Sequence, residues 1–259
     1  MGTLLARLDR VHAGYGTRSV LNNLTFDVRA GEQLALLGPS GAGKSTVLRL
    51  LCAQLFPSAG VVDFPEGRPR TGLVGQEPLL FNWLTVEENI RLGHRFRANG
   101  AARPERAAEL VSLLGLSALS SSYPDQLSGG QAQRVSLGRA FAIEPTLLLL
   151  DEPFSALDPR TRDELQQWLR RTLVDEGLTS VTVTHDIDEA LVLADRIVLL
   201  EAGGRVRSSW ANPHPALNHA GALVHPLRAE IRRGYDPGPE ADDAEFSGLA
   251  PVALEVSNA

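Results

Sequence analysis

Lysine is almost missing from this 259-residue chain: of its 25 basic residues, only Lys44 is a lysine and the rest are arginine. A composition that avoids lysine everywhere else and keeps it at one position marks that position for a compact point charge, which arginine does not supply. Cysteine also occurs once, so no disulfide can close within the chain, and this usage fits a reducing compartment. Cys52 falls on the apolar face of a helical pattern, where packing is its expected role. The six histidines are scattered without metal-ligand spacing. No apolar run reaches the roughly 18 residues of a bilayer-spanning helix. Residues 1–10 carry early charges and lack the apolar core of a signal peptide. Basic excess is absent too. Six of the 31 acids (Asp236, Glu240, Asp242, Asp243, Glu245 and Glu255) lie in residues 234–259, so residues 1–233 hold 25 acidic against 25 basic groups. A formally neutral body gives no support for a nucleic-acid partner.

Apolar residues make up 43% of the chain, ample for the core of one large domain or two modest ones. No internal repeat is visible. Residues 4–11 read as a strand, and Leu24, Phe26 and Val28 alternate as on a half-buried one. Gly14-Tyr15-Gly16 between them reads as a turn presenting a ring, which either packs the turn or stacks on a base. Residues 57–69 are rich in turns. Residues 78–142 read as a helical insertion: Thr85 to Glu88 forms a capping box, Pro104 fits the first turn of a second helix, and Gly115 closes that helix. Thr146 followed by four leucines suits a strand buried on both faces of a parallel sheet. Asp158-Pro159 starts a helix that Gly177 ends. Residues 180–184 form a strand leading to His185, and residues 186–189 open another helix. Arg196 to Leu200, Gly203-Gly204 and Val206 onward read as a hairpin. Helix signals weaken from Ala211, and residues 234–259 read as a poorly ordered acidic tail.

The most specific stretch is Gly38-Pro39-Ser40-Gly41-Ala42-Gly43-Lys44-Ser45-Thr46, which matches the phosphate-binding P-loop pattern. Its context agrees. Gln33–Leu37 reads as a buried strand, and Val47, Leu48, Leu50, Leu51 and Leu55 give the following helix an apolar face. A strand, a glycine turn and a helix start direct unpaired N–H groups and a helix dipole at one spot, which favours an anion. Lys44 adds charge for outer phosphates, and the Ser45 hydroxyl can ligate Mg²⁺.

Asp151 and Glu152 end the leucine strand, where α/β sheets place ligands. The first carboxylate can hold Mg²⁺, and the second can deprotonate an attacking water. Ser128-Gly129-Gly130-Gln131 begins with its own capping box, and its glycines allow close approach of a ligand. On its own this stretch reads first as a capped helix and nothing more.

The ordered set of Tyr15, the P-loop, Gln76, Leu127 to Gln131, Asp151-Glu152, residues 155–158 and His185 resembles the ATP-binding-cassette (ABC) ATPases over residues 4–210. That resemblance implies an α/β P-loop NTPase fold, an ABC-type ATPase core carrying an antiparallel β subdomain and the inserted α-helical subdomain. It further implies that Tyr15 stacks on adenine and that Lys44 and the loop amides hold the β- and γ-phosphates. Ser45, Gln76 and Asp151 would serve Mg²⁺, Glu152 would be the base, and His185 would contact the γ-phosphate. Ser128, Gly130 and Gln131 would reach ATP on the opposite subunit, with Asp158 at the dimer interface. Two such shared sites require a head-to-tail homodimer, leaving the monomer a poor ATPase.

Within the family, the single compact cassette resembles the ATPase subunit of an importer, bound to permease subunits at the cytoplasmic membrane face and served by an extracytoplasmic solute-binding protein. Residues 76–89 look most like the nitrate, sulfonate and taurine import group. The rivals are an exporter subunit and a soluble regulator or DNA-repair accessory ATPase. The neutral body, and the absence of heptads between the P-loop and Ser128, speak against the soluble reading. Phe81, Trp83 and Leu84 either pack into the helical segment or line a groove for a permease helix.

Overall fold

In the computed structural model the described residues are 2–96 and 102–235. Two sheets organise them. The smaller is antiparallel with strand order β2-β1-β4, built from β1 (Leu4–Tyr15), β2 (Arg18–Arg29) and β4 (Ala59–Asp63). The larger has the order β5-β6-β7-β3-β8-β9, from β3 (Gln33–Leu37), β5 (Thr71–Val74), β6 (Leu147–Asp151), β7 (Thr179–Val183), β8 (Arg196–Leu200) and β9 (Val206–Ala211). Its pairings are parallel except the edge pair β8–β9.

The leucine run shows how this sheet is buried. Successive strand side chains point to opposite faces. Leu147 and Leu149 therefore join one core cluster while Leu148 and Leu150 join another, and all four have 0% exposure. The first cluster lies between the large sheet, the small sheet and α1 (Lys44–Leu51). On the second face, β6 meets α2 (Val86–Arg91), α3 (Arg106–Leu113), α4 (Gly129–Phe141) and α5 (Pro159–Asp175) in one continuous cluster. A third cluster joins the same face of β3 and β8 to α6 (Ile187–Leu193), α7 (His219–Leu223) and α8 (Arg228–Tyr235). Each fully buried leucine contributes about 1.5–3 kcal/mol of transfer free energy.

The capping signals at Thr85, Ser128 and Asp158 are all realised: each side chain accepts the backbone N–H three residues on. Gly115 and Gly177 stand past the ends of α3 and α5 with φ of 67° and 60°, the left-handed conformation that stops a helix. Three readings shift. Tyr15 is the last residue of β1, paired with Arg18 across a two-residue turn, so the first strand is longer than its apolar pattern. Pro104 precedes α3 instead of lying in its first turn. The region after Ala211 holds α7 and α8, whose weak pattern reflects how little they bury: one residue each, Ala222 and Ile231. Tertiary bonds hold α8 in place. Arg228 grips Asp188 with two nitrogens at 2.6 and 3.1 Å, and Trp210 Nε1 donates to Glu230 at 2.8 Å. The helix thus runs through Gly234 and Tyr235, beyond the onset of the acidic composition, and the remainder of the tail, residues 236–259, lies outside the described residues.

Candidate functional site

The P-loop leaves the C-terminal end of β3 and enters α1 through Gly43, which holds φ at 90° as N-cap. A Cβ on Gly43 would stand 2.4 Å from Leu21 Cδ2, and one on Gly38 2.6 Å from the Leu200 carbonyl oxygen. Gly38 is therefore required by the close approach of a backbone carbonyl, and Gly43 by its left-handed backbone, since the Leu21 side-chain tip could give way. The start of α1 has no side-chain cap and no acid in its first turn. Its N–H donors remain available to an anion. Lys44, 7% exposed, turns its Nζ back onto the carbonyls of Gly38 (2.7 Å) and Pro39 (3.0 Å). Burial pushes its pKa down, and the charges of Glu152 and Asp151 oppose that shift.

Ser45 donates to Asp151 Oδ1 at 3.0 Å. Burial raises the Asp151 pKa, the Ser45 hydrogen bond lowers it, and the charge of Glu152 raises it further. Hydroxyl and carboxylate form a hard oxygen pair suited to Mg²⁺, which takes one or two protein oxygens and fills its sphere with water and phosphate. Among the described residues no group of three or more His, Cys, Asp or Glu could hold a metal. Gln76 is exposed two residues past Val74, which pairs with Leu150, so it stands at the same sheet edge as Asp151.

Glu152 occupies a left-handed backbone position, φ 46°, just beyond β6. Such strain in a non-glycine residue is held by its surroundings. Here the Glu152 N–H donates to Val183 at 2.9 Å, while its carbonyl accepts from Ser155 N (3.3 Å) and Oγ (3.1 Å). The side chain meets His185, with Nδ1 3.2 Å from Oε2. Tyr15, Lys44, Ser45 and Glu152 line one cleft with Ser40, Gly41, Gly43 and Thr46. Pro39 and Ala42 complete the loop, Ala42 being fully buried.

Two further residues of this cleft, Arg18 and Val20, had no motif to announce them; the hairpin register that pairs Arg18 with Tyr15 was the available signal. Arg49 is a third addition. Its Nη1 donates to the Tyr15 hydroxyl at 2.6 Å, and its guanidinium carbon lies 5.5 Å from the ring centroid. Tyr15 remains 42% exposed.

Ser128, Gly129, Gly130, Gln131 and Asp158 come together in a different cleft, with Arg134, Leu157 and Thr161. It shares no lining residue with the P-loop cleft. The tight contact at its centre is Gly130, where a Cβ would stand 2.8 Å from Thr161 Cγ2. A single chain therefore carries two separate surfaces, one built to cradle phosphates and one presenting a capped helix start.

Of the three large apolar residues after Gln76, Leu84 is core at 8% exposure, whereas Trp83 is 72% and Phe81 38% exposed. Phe81 and Trp83 meet edge to face with centroids 5.1 Å apart. Asn89, fully buried, fixes this turn by accepting from Phe81 N (2.9 Å) and donating to the carbonyls of Phe81, Leu84 and Thr85.

The sequence matches the family described as ABC transporter over residues 21–155. It is 46% identical over 211 residues to the sulfate/thiosulfate import ATP-binding protein CysA of Xylella fastidiosa, covering 76% of this chain and 61% of that protein. It is 45% identical to the CysA of Brucella melitensis, with 76% and 58% covered. The chain thus spans about three fifths of the length of these curated relatives. Among solved structures it resembles the dimeric ATP-binding cassette MJ0796 in a post-hydrolysis state bound to ADP and Pi, with a TM-score of 0.72, 31% identity, and 80% of this chain and 99% of that chain covered. The cbiO1 structure from Clostridium perfringens, at TM-score 0.73 and 24% identity over 89% of this chain and 94% of that one, shares the fold. The relatives' names read sulfate/thiosulfate and do not single out the nitrate, sulfonate and taurine group expected from residues 76–89. That segment is shaped by its own capping box and by the Asn89 hydrogen bonds.

Proposed function

The chain belongs to the ABC transporter family, and on that premise we propose that it is the ATP-binding and ATP-hydrolysing subunit of an importer, working as a homodimer around two MgATP. The observation that carries the dimer is the separation of the two clefts: the P-loop side and the Ser128 side of one chain share no residue. Two copies set head to tail bring the Ser128, Gly129, Gly130 and Gln131 of one to the P-loop of the other, with Asp158 at the contact.

Lys44 and the P-loop amides bind the β- and γ-phosphates, and Tyr15 offers its exposed ring to the base. Ser45 and Asp151, with Gln76 at the same sheet edge, hold Mg²⁺, which when bound neutralises charge on the phosphate oxygens. Glu152 accepts the proton of the attacking water at its carboxylate. His185, 3.2 Å from that carboxylate, orients it and reaches toward the γ-phosphate. Arg49 braces Tyr15 through its hydroxyl. Residues 78–142 act as a helical subdomain that moves with the nucleotide, and the exposed pair Phe81 and Trp83 meets a short helix of the permease. No helix among the described residues is long and apolar enough to cross a membrane; separate permease subunits carry the pathway in this reading. The chain works at the cytoplasmic face, served by an extracytoplasmic binding protein. The CysA names favour sulfate or thiosulfate as the solute, which sulfate uptake in a deletion strain tests.

The direct test is Glu152→Gln. The amide keeps the shape and cannot accept a proton, so turnover falls about 10²–10⁴-fold while ATP still binds. A nucleotide-bridged dimer then accumulates on gel filtration. A strictly monomeric species with ATP present rejects the shared-site arrangement.

A further inference from the structure

The last described residue reaches back to the first residue of the P-loop. Tyr235, at the end of α8, donates its hydroxyl proton to the Gly38 carbonyl at 3.0 Å. The same carbonyl accepts from Lys44 Nζ at 2.7 Å. Gly38 is a buried residue, so its carbonyl cannot readily turn to water for a replacement partner. Pro39, the second acceptor of Lys44, is exposed and can. The two acceptors therefore respond differently if the lysine leaves.

Tyr235 is delivered there by a well-anchored helix. Its ring packs partly buried against the third core cluster. Gly234 lies under Trp210, where a Cβ would stand 3.0 Å from the indole. The Arg228–Asp188 and Trp210–Glu230 bonds fix the remainder of α8. Burial, and then the charge of Glu152, push the phenol pKa above its ordinary value, so the hydroxyl stays a donor throughout the working range.

A buried carbonyl left without a partner carries the full desolvation penalty of the group, whereas the second of two bonds to one carbonyl is worth much less. We propose that Tyr235 is a positioning residue of the phosphate site: it keeps the Gly38 carbonyl hydrogen-bonded when Lys44 swings away to meet phosphate, and so lowers the cost of releasing the lysine. The binding half of this inference rests on the nucleotide-site reading above; the hydrogen-bond half rests on the resting geometry alone.

The experiment is a double-mutant cycle with Tyr235→Phe and Lys44→Met on the full chain, read first by melting temperature without nucleotide. Phenylalanine keeps the ring and removes only the donor. With Lys44 present, Tyr235→Phe shifts the melting temperature by no more than about 2 °C, because the lysine still serves the carbonyl. In the Lys44→Met background the same change leaves the carbonyl bare and lowers the melting temperature by roughly 3–10 °C more. In the otherwise native chain, Tyr235→Phe raises the ATP dissociation constant about three- to tenfold, measured by equilibrium binding. Additive melting shifts in the cycle overturn the shared-carbonyl geometry. Non-additive shifts with unchanged ATP affinity overturn the link to lysine release. Loss of ATP binding by the native chain itself rejects the nucleotide-site reading and this inference's binding half together, while the melting cycle still judges the hydrogen-bond half.

Discussion

Glu189 offers the sharpest test of the burial pattern. It sits in the first turn of α6, is 5% exposed, and lines a small cleft with Glu152, His185 and Arg162. Its Oε1 is buried without a hydrogen-bond partner. Burial, followed by the charge of Asp186, raises its pKa from 4.5 to about 8, with Arg162 opposing and Glu152 adding. The sign follows from linkage. Between pH 4.5 and about 8 the folded chain keeps a proton that the unfolded chain has released. Folding is therefore progressively penalised as pH rises through that window, and the penalty is absent below it and complete above it. Glu189→Gln carries no titrating proton and escapes the penalty. The stability of the glutamine variant relative to the native chain should grow by about 1.4 kcal/mol per pH unit inside the window. From pH 5.5 to 7.5 that is about 3 kcal/mol, or roughly 6–12 °C in melting temperature for a chain of this size. Packing changes caused by the amide itself are independent of pH and cancel in the slope. Paired melting curves across the series measure it. A difference that stays flat with pH would mean that Glu189 is ionised in the folded chain, and the burial argument would fall.

Lys44→Ala removes the one lysine charge at the phosphate cleft, so ATP affinity should fall by an order of magnitude or more in equilibrium binding; native-like hydrolysis would sink the P-loop assignment. Trp83→Ala should leave the melting temperature and basal ATPase rate near native values, because the indole is 72% exposed, while transport and permease capture fall; destabilisation by the several kcal/mol of an emptied core site would contradict that exposure. Ending the chain after Tyr235 should leave folding and ATP binding nearly unchanged. A large loss of melting temperature would show residues 236–259 docked on the body.

Local chemistry was legible in the chain wherever a few adjacent residues decide the outcome. Capping boxes, the stop glycines at 115 and 177, and the leucine strand ending in Asp151 depend on backbone geometry within a handful of residues, and they appear as read. The P-loop pattern was legible in the same way, although the neighbours that crowd Gly43 and Gly38, Leu21 and Leu200, lie far from them in sequence. What needed the tertiary structure is whatever depends on residues far apart in sequence. Trp83 and Leu84 are neighbours with the same apolar character, yet only the packing of Leu84 against the core separates a buried anchor from an exposed one. Glu189 carries an acidic side chain that a sequence assigns to solvent, and its burial beside Glu152 follows from how α6 seats against the sheet. The partition of P-loop and Ser128 into separate clefts, and the return of Tyr235 to Gly38 across 197 positions, are likewise products of chain packing. Sequence patterns report short-range geometry directly, whereas long-range proximity is decided only when the sheet order and helix layers close.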